Sequence, residues 1–85
     1  MTEQLPPITQ AVKSIVIGGV YEHHKKKRYK ILAIARHSET LEELLVYQAL
    51  YGEGCVWVRP AAMFLENVPV EGKLVPRFKL VQASA

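Results

Sequence analysis

Cysteine is nearly absent from this 85-residue sequence: Cys55 stands alone. No intrachain disulfide is possible, which excludes a secreted scaffold held by bridges. No apolar run approaches the ~20 residues a helix needs to cross a bilayer. The opening stretch Met1-Thr2-Glu3-Gln4-Leu5-Pro6-Pro7 lacks the cationic and apolar regions of a signal peptide, so the cytoplasm is the expected location. There is no phosphate loop, no HExxH and no cysteine pair. Neither a metal nor a cofactor is expected.

What is present is ordinary for one small globular domain: 49% hydrophobic and 22% charged residues. A chain of this size buries only about 60–65% of its unfolded surface, so its core must be compact. The formal charge of +3 is unevenly placed, because Lys25, Lys26, Lys27, Arg28 and Lys30 supply five of the eleven cations. The remainder is net acidic, so the positive character is one local cluster. Cys55 is expected to be a small buried hydrophobe, not a reactive thiol.

Residues 1–17 read as an amino-terminal extension, polar and mobile over its first seven residues and apolar after them. Its part from Thr9 to Ile17 fits a short helix, with Val12, Ile15 and Val16 at helical spacing. It fits a strand equally well, since Ile15-Val16-Ile17 is β-branched. After Gly18-Gly19 a strand runs through Val20-Tyr21-Glu22-His23. The chain turns through Lys25-Lys26-Lys27-Arg28, without an Asn-Gly or similar turn signature, into a longer strand from Tyr29 to His37.

Thr40-Leu41-Glu42-Glu43 fits a capping box, and Leu41, Leu44 and Leu45 have helical spacing. Read locally, 41–50 is a helix. Read as a strand, Glu43 to Tyr51 folds back on 29–37 around a turn near Thr40. That register pairs Ala35 with Leu45, Ala33 with Tyr47, Ile31 with Ala49 and Tyr29 with Tyr51, matching small residues with large ones. The strand is preferred.

Cys55 to Arg59 is a short strand stopped by Pro60, and Ala61 to Leu65 suits a single helical turn with Pro60 at its first position. Val68-Pro69-Val70 and Leu74-Val75 flank a turn at Glu71-Gly72-Lys73. Pro76 to Val81 reads as an edge strand, and residues 82–85 as a tail that frays. Five or six short antiparallel strands punctuated by glycine and proline indicate an all-β domain. At this length a small barrel is the economical form, since closure removes exposed edges. The expected domain spans 18–81.

The run Ala35-Arg36-His37-Ser38-Glu39-Thr40-Leu41-Glu42-Glu43-Leu44, then Val46-Tyr47-Gln48-Ala49-Leu50-Tyr51-Gly52, Trp57-Val58-Arg59-Pro60 and Met63-Phe64, carries a resemblance. With Gly19-Val20-Tyr21, His24, Gly72-Lys73 and Val75-Pro76-Arg77-Phe78, it is similar to the small bacterial domain of unknown function 1653 family. The resemblance covers roughly residues 18–81. It implies an SH3-type β-barrel, and since the family carries no established activity or assigned catalytic residue, it implies no functional role. The seventeen-residue extension and the dense lysine run depart from the family pattern.

Arg36-His37-Ser38-Glu39-Thr40 is the densest polar group. His37 could act as a general base oriented by Glu39, or the segment could be a polar turn that caps its own backbone. His23 and His24 are adjacent, and neighbours on a strand point to opposite faces, so a shared ion is not expected. Lys25, Lys26, Lys27, Arg28 and Lys30, interleaved with Tyr21 and Tyr29, could grip a nucleic-acid backbone weakly and without sequence readout. Trp57 and Arg59 share a strand face, with Tyr47 or Tyr51 nearby. Trp57 is expected in the core, and Arg59 could stack on it or clamp a carboxylate or phosphate. Met63 and Phe64 read as a plug for the barrel end. Leu32, Ile34, Leu44 and Val46 make a second apolar face that the extension or a second copy would cover, leaving monomer and homodimer open.

The leading expectation is therefore a non-enzymatic binding module whose surface joins Arg36, His37, Glu39, Trp57 and Arg59. A peptide or protein partner comes first and nucleic acid second; no membrane is implicated. The alternative is a small enzyme or ligand-responsive domain built on His37 and Glu39.

Overall fold

The computed structural model describes residues 7–84. The expected mobility of the first seven residues therefore falls, apart from Pro7, outside the described residues, as does Ala85 of the tail. A one-turn helix α1 (Gln10–Lys13) decides the open question in the extension. Thr9 caps it: the Thr9 hydroxyl oxygen accepts from the Val12 N–H at 3.4 Å. The Glu43 carboxylate in turn accepts from the Thr9 N–H at 2.7 Å and from its hydroxyl at 3.0 Å. Val12 and Ile15 are buried within the hydrophobic cluster, so the extension is part of the core.

Seven strands follow: β1 (Val20–His23), β2 (Arg28–Arg36), β3 (Glu43–Ala49), β4 (Val56–Pro60), β5 (Asn67–Val70), β6 (Lys73–Pro76) and β7 (Phe78–Gln82). A second one-turn helix, α2 (Ala61–Phe64), sits between β4 and β5. The all-β class and the helical turn after Pro60 stand. The strands number seven, one or two more than expected, because 67–76 forms a hairpin of its own and Pro76 ends β6 instead of opening β7. Gln82 still pairs with Val20, so the tail begins one residue late.

The large sheet has the order β4-β3-β2-β1-β7, and β5-β6 forms a separate two-stranded sheet. All pairs are antiparallel. The outer strands β4 and β7 do not pair with each other, so no closed barrel forms among the described residues. Core side chains and α2 cover part of one face of the sheet.

The segment after Thr40 is a strand. Its capping-box residue does engage locally, since the Thr40 hydroxyl accepts from the Glu42 N–H at 3.2 Å. The helix does not propagate, because Leu41 takes a left-handed φ of 65° and β3 gains a partner on each side. Two ladders outweigh one local cap.

The register differs from the expected one. Ala35 faces Leu44, Ile34 faces Leu45, Ile31 faces Tyr47 and Tyr29 faces Ala49. The offset is one residue near the turn and two residues beyond a bulge at Leu32. The bulge adds a residue to β2 alone, so Ile31 and Ile34, three apart, both turn toward the core. Volume matching along an unbroken ladder could not anticipate it. Ile34 accordingly leaves the second apolar face and packs on the core cluster. On that second face Val56 and Val58 of β4 join Val46, exposed.

The core comprises Val12, Ile15, Tyr21, Ile31, Leu45, Tyr47, Ala61, Phe64 and Phe78. Ile31 and Leu45 are fully enclosed, each worth about 1.5–3 kcal/mol of burial. Phe64 is the plug; its neighbour Met63 is exposed. The β1–β2 turn achieves reversal without glycine by holding Lys26 at φ 73°.

Candidate functional site

Cross-strand partners share a face, and on the core face of the large sheet every strand carries a ring. These are Trp57 on β4, Tyr47 on β3, Tyr29 on β2, Tyr21 and His23 on β1, and Phe78 on β7. Helix α2 lays Phe64 flat on Phe78, centroids 4.0 Å apart and planes 4° from parallel. Phe64 also meets Tyr21 and Tyr47 edge-on, at 5.5 and 5.6 Å. Beyond its reach the face is uncovered, and Tyr29, Tyr47, Tyr51, Trp57 and Arg59 line an open groove of about 200 Å³.

Trp57 stands opposite Tyr47, and Arg59, two residues on, occupies the same face. The Arg59 Nε–H donates to the Tyr47 hydroxyl at 3.1 Å. Its guanidinium carbon lies 5.6 Å from the centre of the Phe78 ring. Tyr51 enters from the loop after β3, its hydroxyl 2.7 Å from that of Tyr29 and its ring 5.5 Å from Tyr29's. Lys27 Nζ sits 4.5 Å from the centre of the Tyr51 ring. Burial, and then the hydrogen bond with Tyr51, push the Tyr29 hydroxyl up to about 12, so it stays protonated at neutral pH. No carboxylate lines this groove. It offers aromatic faces, hydroxyls and a guanidinium, the chemistry for a flat group carrying negative charge.

Trp57 is 51% exposed, which corrects the expectation that it lies in the core. Strand β4 is an edge strand, and no element of the described residues is laid over its inner face at that point. Cys55 is exposed as well, against its expected burial. It precedes β4 at the same uncovered edge, where only its carbonyl is engaged, accepting from the Ala49 N–H at 2.9 Å.

A second groove of about 310 Å³ lies on the other side of the β1–β2 turn, lined by Glu22, His23, His24, Lys26, Val70, Val75, Pro76 and Lys79. His23 and His24 lie 4.3 Å apart, centre to centre. They do not point to opposite faces, because β1 ends at His23 and His24 already belongs to the turn. His23 packs edge-on against Phe78 at 4.9 Å. Burial, helped by the positive charges of His24, Arg59, Arg77 and Lys25, lowers its pKa from 6.5 to about 4. Its Nδ1 accepts from the Lys25 N–H at 3.1 Å, so the neutral ring carries its proton on Nε2. Among the described residues no three histidine, cysteine or carboxylate side chains gather to hold a metal ion.

The five candidate residues divide. Trp57 and Arg59 meet in the first groove. Arg36, His37 and Glu39 lie at the 37–42 turn and line neither groove. There the Arg36 guanidinium donates to the Leu41 carbonyl at 3.1 Å. His37 Nδ1 accepts the N–H groups of Glu39 and Thr40 at 3.1 and 3.3 Å. The contact between His37 and Glu39 thus runs through backbone, in a turn that caps itself.

The cationic cluster divides too. Lys27 reaches the first groove, Lys26 the second, and Lys25 stands exposed on the tip. Arg28 pairs with Glu22 at 3.3 Å, and Lys30, next to Tyr29 on β2, points to the opposite face. Tyr29 was missed as a site residue. The signal was its alternation with Ile31 along β2, readable only once Tyr47 is known to lie beside both.

A sequence model of the family described as protein of unknown function (DUF1653) matches residues 19–80. The crystal structure of a protein of that family from Bordetella bronchiseptica is similar to this chain with a TM-score of 0.71 and 33% identity, covering 80% of this chain and 90% of that one. No curated protein matches.

Proposed function

We propose that this chain, which belongs to the DUF1653 family of proteins of unknown function, works as a binding module and not as an enzyme. Its groove of Tyr29, Tyr47, Tyr51, Trp57 and Arg59 receives a flat group that bears or adjoins negative charge. One observation carries this: an indole half exposed beside a guanidinium in a groove with no carboxylate. Leaving a large apolar ring uncovered forgoes burial energy that folding could have used, and such uncovered patches mark surfaces that meet a ligand. Aromatic rings with few rotatable bonds hold a partner at small entropic cost.

A catalytic role for His37 and Glu39 finds no support in their placement, since the His37 ring accepts backbone N–H groups of an exposed turn, that of Glu39 among them. Peptide or protein and nucleic acid share the required chemistry; the flat group beside each charge ranks them, as argued below.

Trp57 is the sole tryptophan, so its emission reports on the groove directly. Titration with acidic peptides containing an aromatic residue, and with short oligonucleotides, is expected to give a saturable change with at least one class. Arg59→Ala should abolish it and His37→Ala should leave it intact. A flat signal with every class up to millimolar concentration overturns the proposal, as does an equal loss in both variants.

A further inference from the structure

The two grooves flank one turn, and consecutive lysines serve them. Lys27 lies over Tyr51 at the rim of the first, while Lys26 lines the second with His24 and Lys79. Lys26 and Lys27 are consecutive in the chain, so the cationic tip stands between the two grooves, and a ligand that reached both would cross it. A ligand that uses the whole path must be extended and repeatedly anionic, with flat groups at intervals. We propose that it is a single strand of nucleic acid, an inference that rests on the binding reading above.

Each part has a counterpart in the path. A base stacks against Trp57 and the tyrosines of the first groove, as unpaired bases do on aromatic side chains in sequence-tolerant binders. The hydrogen-bonded Tyr29 and Tyr51 hydroxyls lie there, and Arg59 has a planar face and a fork of N–H groups for base or phosphate. Lys25, Lys26 and Lys27 follow the backbone across the tip. In the second groove Lys79 continues the positive charge beside the rings of His23 and His24, and histidine also stacks on bases.

Carboxylates along an acidic peptide would meet the same cations; what favours the nucleic acid is the flat group it carries beside every charge, which the rings of the first groove take. Arg28 is paired with Glu22 and Lys30 lines neither groove, which narrows the active cations to Lys25, Lys26, Lys27, Arg59 and Lys79. A duplex would present no unstacked base to the first groove.

The test uses the full chain and a fluorescein-labelled eight-nucleotide pyrimidine strand, followed by anisotropy and by Trp57 emission between 25 and 300 mM salt. Three to five neutralised phosphates predict a slope of log affinity against log salt of about −2 to −3.5. Lys27→Glu with Lys79→Glu should weaken binding at least tenfold. Tyr51→Ala, on an exposed ring, should weaken it about five- to hundredfold through lost stacking. A duplex of equal length should bind less tightly. Saturable binding of acidic peptides without response to the oligonucleotide overturns the nucleic-acid assignment and leaves the binding module standing. Oligonucleotide binding that is sensitive to the lysines but indifferent to Tyr51→Ala overturns the role of the groove. No response to either ligand removes both proposals.

Discussion

One face of one sheet is used in two ways. Around Phe64 the rings of Tyr21, Tyr47 and Phe78 are closed over by α2, with Val12 and Ile15 completing the cluster. A few residues away Tyr29, Tyr51 and Trp57 present the same kind of ring to an open groove. Residue type does not distinguish the halves; the reach of two one-turn helices does. Where a covering side chain arrives, edge-on and stacked ring pairs add about 0.5–1.5 kcal/mol each to burial. Where none arrives, the rings keep their surface open.

The sharpest way to break this comparison is to truncate one ring from each half. Phe64→Ala should cost about 3–5 kcal/mol in urea unfolding, since it empties the centre of the cluster. Trp57→Ala should cost less than about 1 kcal/mol, because half its surface is already in water, while ligand-dependent signals at the groove disappear. Equal losses would mean that the indole is structural and that the halves do not differ.

His23 stands at the joint between them, edge-on to the same Phe78 that Phe64 covers. Its pKa falls from 6.5 to about 4 on folding. Above pH 6.5 the ring is neutral in both states and contributes no pH dependence. As pH drops toward 4 the unfolded chain takes up a proton that the folded one refuses, so stability falls through that window and levels off below it. After solvent screening of a half-buried ring the loss should be about 1–2 kcal/mol between pH 7 and 4. Urea midpoints across this range, compared with His23→Gln, measure it; an unchanged slope in the variant would show that His23 is not the group responsible.

The smallest effect is expected far from both halves, in the β5–β6 hairpin. Its two-residue turn has Glu71 at φ 50° and Gly72 at φ 81°, the left-handed pair of a type I′ turn. Glu71→Asn installs the preferred Asn-Gly and should stabilise the protein by about 0.5–1 kcal/mol in thermal unfolding. Destabilisation would show that the Glu71 side chain has a role its exposure does not suggest.

Much of the strand plan could be read in advance. Glycine and proline mark the breaks, and β-branched and aromatic residues fill the strands between them. Thr40-Leu41-Glu42-Glu43 shows why local signals alone mislead: its cap forms, yet β2 and β4 draw the following residues into a ladder. Register was beyond reach for two reasons: the turn near Thr40 sets the pairs beside it one residue off the expected ladder, and one extra residue at Leu32, which nothing in Leu32 itself announces, shifts every pair past it by one more. For the site, Trp57 and Arg59 could be placed on one face by alternation. Tyr29 and Tyr51 could not be joined to them, since their meeting depends on that register and on where the loop after β3 lands. Arg36, His37 and Glu39 drew attention by polarity, which a self-capping turn also requires.

By itself the sequence determined which segments extend, where they break, which side chains alternate to one face and where the positive charge gathers. These properties depend on a residue and its near neighbours. Only the tertiary structure decided which part of that face is sealed and which stays open. Sealing is a contact between segments distant in the chain: Phe64 on Phe78, Val12 and Ile15 against the sheet, and, among the described residues, nothing laid over Trp57. An aromatic ring carries no mark of whether another chain segment will reach it.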